Sequence, residues 1–369
     1  MACKLFSMIL LSIVSKVFAE ERCFPSLCLQ EGYQKGSSPS KTEPLPVILM
    51  PFLAEVFKVK DEDSTISFGA EVVFIWTDFR IKFNKTSGEK GYRYIDQSIL
   101  DHIWRPKYQI VSDTVRDQEY VTSYVNINVT SDKLVLRRSI KPTITCCMRF
   151  NWYPFDEQFC DFIIQAYDPL GKVAFSSIEH NDFYTPASNE NVLLDYDLNI
   201  THLPDEKKMS MLGPKFEKIT PHTKRDFSWS RGGFRIHLKR RWPRYIFIYF
   251  LPSSLCVLGS WSSFLIDTEN IAARSGLLAT VYLSLTTLLI SSIQSSPRVG
   301  FITAITVWIL KEFIFILVEI AVFCHILIRK RYSEDSHWTV KRLDRRLLFL
   351  VMIAYVIVTV IYVVVMCVK

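Results

Sequence analysis

Two stretches of this chain carry side chains whose types and spacing could do chemistry. In IAARSGLLATVYLSLTTLLISSIQSSPRV, read as a helix, Gly276, Thr280, Leu283, Thr287, Ser291 and Gln294 follow at spacings of 4, 3, 4, 4 and 3 and so share one face. The other faces carry Leu277, Leu278, Val281, Leu285, Leu288 and Leu289. A hydroxyl stripe on an apolar helix either bonds a neighbouring helix or lines water. One helix cannot enclose water, so a pore needs several subunits around an axis. A ring of Leu283 side chains then forms an apolar constriction that gates by dewetting, and Thr280 and Thr287 supply ion-contacting hydroxyls. The second stretch is TCCMRFNWYPFDEQFC, Thr145 to Cys160. Cys146 or Cys147 could close a disulfide loop with Cys160 around aromatics, a proline and two acids. Nothing in the sequence fits an enzyme. It has no metal-ligand cluster, nucleophile elbow or phosphate loop, so no catalytic residue, metal or cofactor is expected.

Such side chains need a membrane and an oxidising compartment. Residues 1–19 place one lysine before a short apolar run and small residues at Val17-Phe18-Ala19, the pattern of a secretory signal peptide ending at Ala19. Three glycosylation sequons, at Asn84, Asn128 and Asn199, all lie between that signal and the first apolar span. Of nine cysteines, Cys3 leaves with the signal, and Cys256, Cys324 and Cys367 sit in apolar runs as small hydrophobes. Cys23, Cys28, Cys146, Cys147 and Cys160 remain on the oxidising side. Their odd number leaves at least one free or paired between chains.

Residues 20 to about 50 read as a loop-rich lead-in. From about Glu55 to Trp242 the chain reads as short strands: Phe234, Ile236 and Leu238 alternate with Arg235, His237 and Lys239, the period of a half-buried strand. Residues 20–242 are therefore expected to form an extracellular all-β sandwich. Residues 243–369 are expected to form a four-helix transmembrane bundle, with helices at about 245–266, 271–293, 299–328 and 347–368. The third helix carries Lys311, Glu312 and Glu319, read as structurally paired charges. The connection 329–346 holds seven Lys and Arg against three acids, which places it in the cytoplasm and the C-terminus outside. The net charge of +7 gathers in such membrane-flanking clusters, so nucleic acid is not an expected partner. A non-conducting receptor or adhesion subunit is the competing reading, but an anchor needs no hydroxyl stripe.

The chain resembles the pentameric ligand-gated ion channels, or Cys-loop receptors. Four features carry the likeness: thirteen residues between Cys146 and Cys160 with Tyr153-Pro154-Phe155-Asp156 inside; IWRP at 103–106; Arg241-Trp242-Pro243 before a span containing Pro252; and AARSGLLATVYLSLTTLLISS, similar to the pore helix of glycine and γ-aminobutyrate receptors. The resemblance implies a homo- or hetero-pentamer in the plasma membrane, opened by a small-molecule agonist and in contact with permeant ions and lipid. It selects Cys146 as the partner of Cys160 and leaves Cys147 spare. It makes Tyr153, Pro154 and Phe155 a stiff tip bearing on the turn that contains Pro297, and it makes Asp61 or Glu62, with Arg241, the polar link between the two domains.

By the same resemblance the agonist site is an aromatic cage between subunits. Tyr167 matches the second principal loop, and Trp229 with Phe227 the third. Val111 stands where the first should carry an aromatic, and Glu71 stands where the complementary face often does. Tyr167, Trp229 and Glu71 could still hold a cationic amine; a subunit that answers to no familiar transmitter is the equal alternative, and the agonist stays unassigned. At the inner mouth, Ala273 replaces the glutamate of cation channels directly before Arg274, so the field favours chloride. Asp267 and Glu269 keep a cation-selective channel as the alternative. The connection before the last span is shorter than eukaryotic members usually have.

Overall fold

Ile66, Phe68, Ala70, Val72, Phe74 and Trp76 alternate along one strand, and each is buried. That period of two turns a single apolar row toward a core and leaves the intervening side chains outside. The computed structural model describes residues 22–40, 42–84, 91–111, 120–128, 132–177, 195–211, 228–267, 270–298, 300–332 and 337–368. The expected signal peptide and Phe227 lie outside the described residues. Two units are distinguished. The first comprises Met1–Cys147, Phe159–Leu193 and Leu198–His237; the second comprises Met148–Gln158, Leu194–Asp197 and Leu238–Lys369.

The strands are β1 (Arg22–Cys23), β2 (Leu27–Leu29), β3 (Leu45–Lys60), β4 (Thr65–Trp76), β5 (Ile81–Phe83), β6 (Tyr92–Ile95), β7 (Tyr108–Ile110), β8 (Tyr120–Asn128), β9 (Lys133–Ile140), β10 (Thr143–Thr145), β11 (Glu157–Ala166), β12 (Val173–Ser177), β13 (Tyr196–His202), β14 (Met209–Met211) and β15 (Ser228–Arg240). Among the described residues, one sheet runs β12-β3-β4-β9-β8-β6, with β10 also on β4. A second runs β13-β15-β11-β7, with β14 on β15. Phe68 of β4 meets Phe162 of β11 edge-on at 5.3 Å and Phe234 of β15 at 6.1 Å, so the two sheets share one aromatic core. β15 buries Phe234, Ile236 and Leu238 completely, as its alternation requires.

Where β15 runs beside β11, a Cβ on Gly233 would lie 1.9 Å from the carbonyl oxygen of Phe162, and its φ is +156°. Only glycine fits there. The lead-in departs from the expected loop. β1 and β2 form a hairpin clipped by a Cys23–Cys28 disulfide and extended by β5, because a bond over five residues holds strands too short to pair alone.

The first unit also holds the short helix α1 (Gln97–Leu100), capped by Asp96, whose carboxylate accepts from Ser98 N. The second unit holds α2 (Pro243–Leu265), α3 (Ile271–Ser295), α4 (Ala304–Tyr332) and α5 (His337–Val368). α2 widens into a π-turn over Ile246–Phe250 just before Pro252, whose missing N–H leaves the ladder slack. The hydroxyls of Ser253 and Ser254 both donate to the Phe250 carbonyl at that point.

Among the described residues, three helices are long and apolar enough to cross a membrane: Pro243–Leu265, Ile271–Ser295 and Arg342–Val368. α4 is longer than any of these segments, but Lys311, Glu312 and Glu319 lower its apolar character. All three are buried. Lys311 Nζ lies 3.0 Å from Glu312 Oε1 and 3.1 Å from Thr359 Oγ1, over the Trp308 ring, and Tyr355 donates to Glu312. α4 and α5 extend to Tyr332 and back to His337, so basic residues of the expected 329–346 connection continue the helices.

Candidate functional site

Cys146 and Cys160 are bonded, and Cys147 is an exposed free thiol. Between them, residues 148–158 belong to the helical unit. Phe150 and Tyr153 share a core with Tyr249, Phe250, Ile305, Trp308 and Ile309. Tyr153 is reached through a cis bond to Pro154, and both side chains are buried. Helix α4 begins with backbone donors that lack intrahelical acceptors. The carbonyls of Asn151 and Tyr153 accept from Ala304 N and Ile305 N, each at 3.1 Å. The Tyr153 hydroxyl donates to the Ser295 carbonyl, 3.3 Å away at the end of α3. Pro297, two residues further on, is buried, and the Phe155 ring lies 6.0 Å from Trp242 and 5.6 Å from Phe250. The loop therefore holds the start of α4 through its backbone carbonyls and the end of α3 through the Tyr153 phenol.

A residue that the motif reading missed anchors this loop. Arg240 is buried, its Nε 2.7 Å from Asp156 Oδ1 and its Nη2 3.2 Å from Oδ2. The guanidinium lies 4.6 Å from the Tyr153 ring and 4.5 Å from the Tyr196 ring. A bidentate pair between aromatic faces fixes orientation as well as charge. The signal was legible: Arg240 continues the inward row Phe234, Ile236, Leu238. The expected Arg241 is one position out of that register and makes an exposed pair with Asp197 at 2.6 Å. Such pairs contribute little. Asp61 and Glu62 occupy the turn after β3.

On α3 the expected stripe is exposed in the single chain: Gly276, Thr280, Thr287, Ser291 and Gln294 are open and Leu283 is 64% exposed, as are Tyr282, Ile290 and Ile293 on neighbouring faces. Leu278, Leu285 and Ser292 form the buried face. Thr280 and Thr287 donate to the carbonyls of Leu277 and Ser284. Asn270 caps the helix, accepting from Ala273 N at 3.2 Å.

Arg274 lies away from this stripe. It is fully buried and pairs with Asp344 of α5 through two contacts of 3.3 Å. The Phe264 ring of α2 and the Phe323 ring of α4 flank it at 5.2 and 5.0 Å. Helical periodicity explains the placement: Arg274 lies one turn before Leu278, on the face opposite Gly276. Its charge is neutralised inside the bundle, so the field at the inner mouth does not rest on it.

The expected agonist residues fall on separate surfaces of the first unit. Tyr167, 65% exposed, borders one cavity with Lys107 and Arg138. Glu71 borders another with Phe52, Tyr92 and Arg137. Arg137 Nε donates to Glu71 at 2.8 Å, so that carboxylate is already charge-paired. Trp229 is half-buried in β15, opposite Ser210 of β14. Asn84 and Asn199 are exposed and Asn128 half-buried.

A family model described as the neurotransmitter-gated ion-channel ligand binding domain matches residues 21–241. The chain is 26% identical over 280 residues to Ligand-gated ion channel 50 of Caenorhabditis elegans, covering 71% of this chain and 52% of that protein. It is 26% identical over 253 residues to the human gamma-aminobutyric acid receptor subunit rho-2, covering 66% and 50%. With the rat subunit pi it shares 28% over 286 residues, covering 76% and 61%. The chain thus spans about half the length of the first two of these relatives. A β-sandwich carrying the Cys146–Cys160 loop, followed in sequence by apolar helices and matched over residues 21–241, places this chain in the neurotransmitter-gated ion-channel (Cys-loop receptor) family, a family of ligand-gated channels and not of enzymes.

Proposed function

We propose that the chain is a subunit of a pentameric, ligand-gated, anion-selective channel in the plasma membrane, with the residues before α2 and the C-terminus outside. One observation carries this: the small and hydroxylated face of α3 is left open by its own bundle, while the opposite face is packed. In a ring of copies that face lines water, with Leu283 as the constriction. Anion selectivity is supported by Ala273, where no carboxylate stands, and by the α3 N-terminus, whose backbone dipole favours negative charge. Tyr167 and Trp229 on one copy and the Glu71–Arg137 pair on the next are proposed to frame the agonist site. That Tyr167 and Glu71 border separate cavities of one chain supports a site shared between copies. Similarity to receptor subunits named for gamma-aminobutyric acid makes an amino acid agonist the first to try.

Reversal potentials test this in cells expressing the full chain, with chloride and sodium varied separately. The expected current follows chloride, and Leu283→Ser opens a standing leak of the same selectivity. A leak that follows sodium would favour the cation-selective alternative. Surface-expressed Leu283→Ser without any leak would favour a non-conducting subunit.

A further inference from the structure

β9 places an arginine where its own alternation calls for an apolar side chain. Leu134, Leu136 and Ile140 point inward and are buried, and Arg138 stands in the same row, opposite the fully buried Val72. Its neighbour Arg137 faces outward to Glu71. An inward arginine is costly unless its head reaches a polar environment. Here the guanidinium lies 5.5 Å from the centre of the Tyr108 ring, and that ring packs 4.8 Å from Phe74. Both contacts hold the charge at the wall of a cavity of about 550 Å³.

Three further cations line the same cavity: Arg105 and Lys107 from the segment before β7, and Lys35 from the turn after β2. Among the described residues that line it, Asp101 is the acid. Its side chain is 78% exposed and meets Arg105 at 3.6 Å, a weak surface pair. Lys35 donates to the Asp101 carbonyl and not to its carboxylate. Cations thus outnumber acids among the described lining residues, and concave walls concentrate such a field. Tyr167 stands at the rim, fixed by its N–H to the Lys107 carbonyl at 2.9 Å, with its phenol in the open.

We propose that this cavity binds a small organic anion, a mono- or dicarboxylate, whose oxygens are held by Arg138 and Lys107 with Tyr167 closing over them. This rests on the proposed role of Tyr167 as a ligand-contacting aromatic, and it replaces the cationic amine with an anion at that face. A planar carboxylate suits the guanidinium fork, and a charge-assisted pair of this kind is stronger than a neutral hydrogen bond.

The test is calorimetric titration of the detergent-solubilised full chain with succinate, inorganic phosphate and tetramethylammonium. The expected result is saturable succinate binding, weakened by added salt and weakened roughly tenfold by Arg138→Gln or Lys107→Gln. Tetramethylammonium gives no heat, and phosphate binds more weakly. Lys107 is exposed, so Lys107→Gln carries the test if Arg138→Gln does not fold. The proposal is overturned if folded wild-type protein shows no saturable succinate binding, or if both variants bind unchanged. Tetramethylammonium binding in place of succinate, or phosphate binding as tightly, also overturns it. Binding is read without conduction, and the Leu283→Ser leak is read without ligand, so either reading can fail while the other stands.

Discussion

Arg240 and Asp156 form a fully desolvated ion pair, each about 2% exposed. Asp156 also accepts from Gln158 Nε2 at 2.6 Å. Removing one partner of such a pair leaves a buried charge and typically costs about 3–5 kcal/mol. Asp156→Asn and Arg240→Gln are therefore expected to lower thermal stability sharply, while Arg241→Gln, whose partner is exposed, changes it little. A thermal melt of the three variants checks this; equal effects for Arg240 and Arg241 would contradict the burial argument. Arg240 was readable from the period-two row that ends in Leu238, whereas its partner was not, because a strand pattern states which way a side chain points and not what it meets. Asp161 offers a second residue-scale outcome. Burial alone would raise its pKa, but hydrogen bonds and charge from Arg235 and Lys207 outweigh that and hold it below the usual carboxylate range. A depressed folded pKa stabilises above the unfolded value of about 4 and is lost as pH falls through the folded one. Asp161→Asn should thus be less stable than wild type at neutral pH, with the gap closing below about pH 4.

At the scale of elements, the bundle is joined at one end by Arg274. It contacts aromatic rings of α2 and α4 and the carboxylate of α5, so one α3 side chain touches each other helix of the bundle. The stripe on α3 could be read from spacing alone, and so could the face that carries Arg274. Its partner could not, since Asp344 lies 70 residues away in sequence within a segment rich in other charges. Asp344→Asn is expected to lower bundle stability by several kcal/mol, as is Arg274→Asp. The double exchange, Arg274→Asp with Asp344→Arg, should recover part of that loss. A double-mutant cycle on thermal midpoints measures the coupling, and strictly additive losses would mean the pair does not act as one. The Cys23–Cys28 clip shows the same boundary of legibility. Both cysteines were visible as residues of the oxidising side, but the resemblance assigned only the Cys146–Cys160 bond, and proximity in the fold supplied the pairing of Cys23 with Cys28.

For the whole molecule, the exposed surfaces of the helices differ in kind. α5 leaves Val356, Val360, Ile361, Val363 and Val364 open. α3 leaves Thr280, Thr287, Ser291 and Gln294 open. Hydrocarbon suits the first surface and water the second, since unsolvated hydroxyls and amides at membrane depth are unfavourable. One isolated bundle in a bilayer would place both in lipid, whereas a closed ring turns the α3 face to a shared aqueous axis and keeps α5 at the rim. The two arrangements differ in which positions a water-soluble thiol reagent reaches. In a background with Cys147, Cys256, Cys324 and Cys367 replaced by serine or alanine, a charged methanethiosulfonate should label Thr287→Cys much faster than Val360→Cys. Both rates are read on surface protein by mass shift, so the outcome does not depend on current or on an agonist. Equal, slow labelling would place the hydroxyl face against lipid or a neighbouring helix, where its side chains would serve packing and not permeation. Fast labelling at Thr287 alone would require an aqueous path along α3 that a single copy of this bundle cannot enclose.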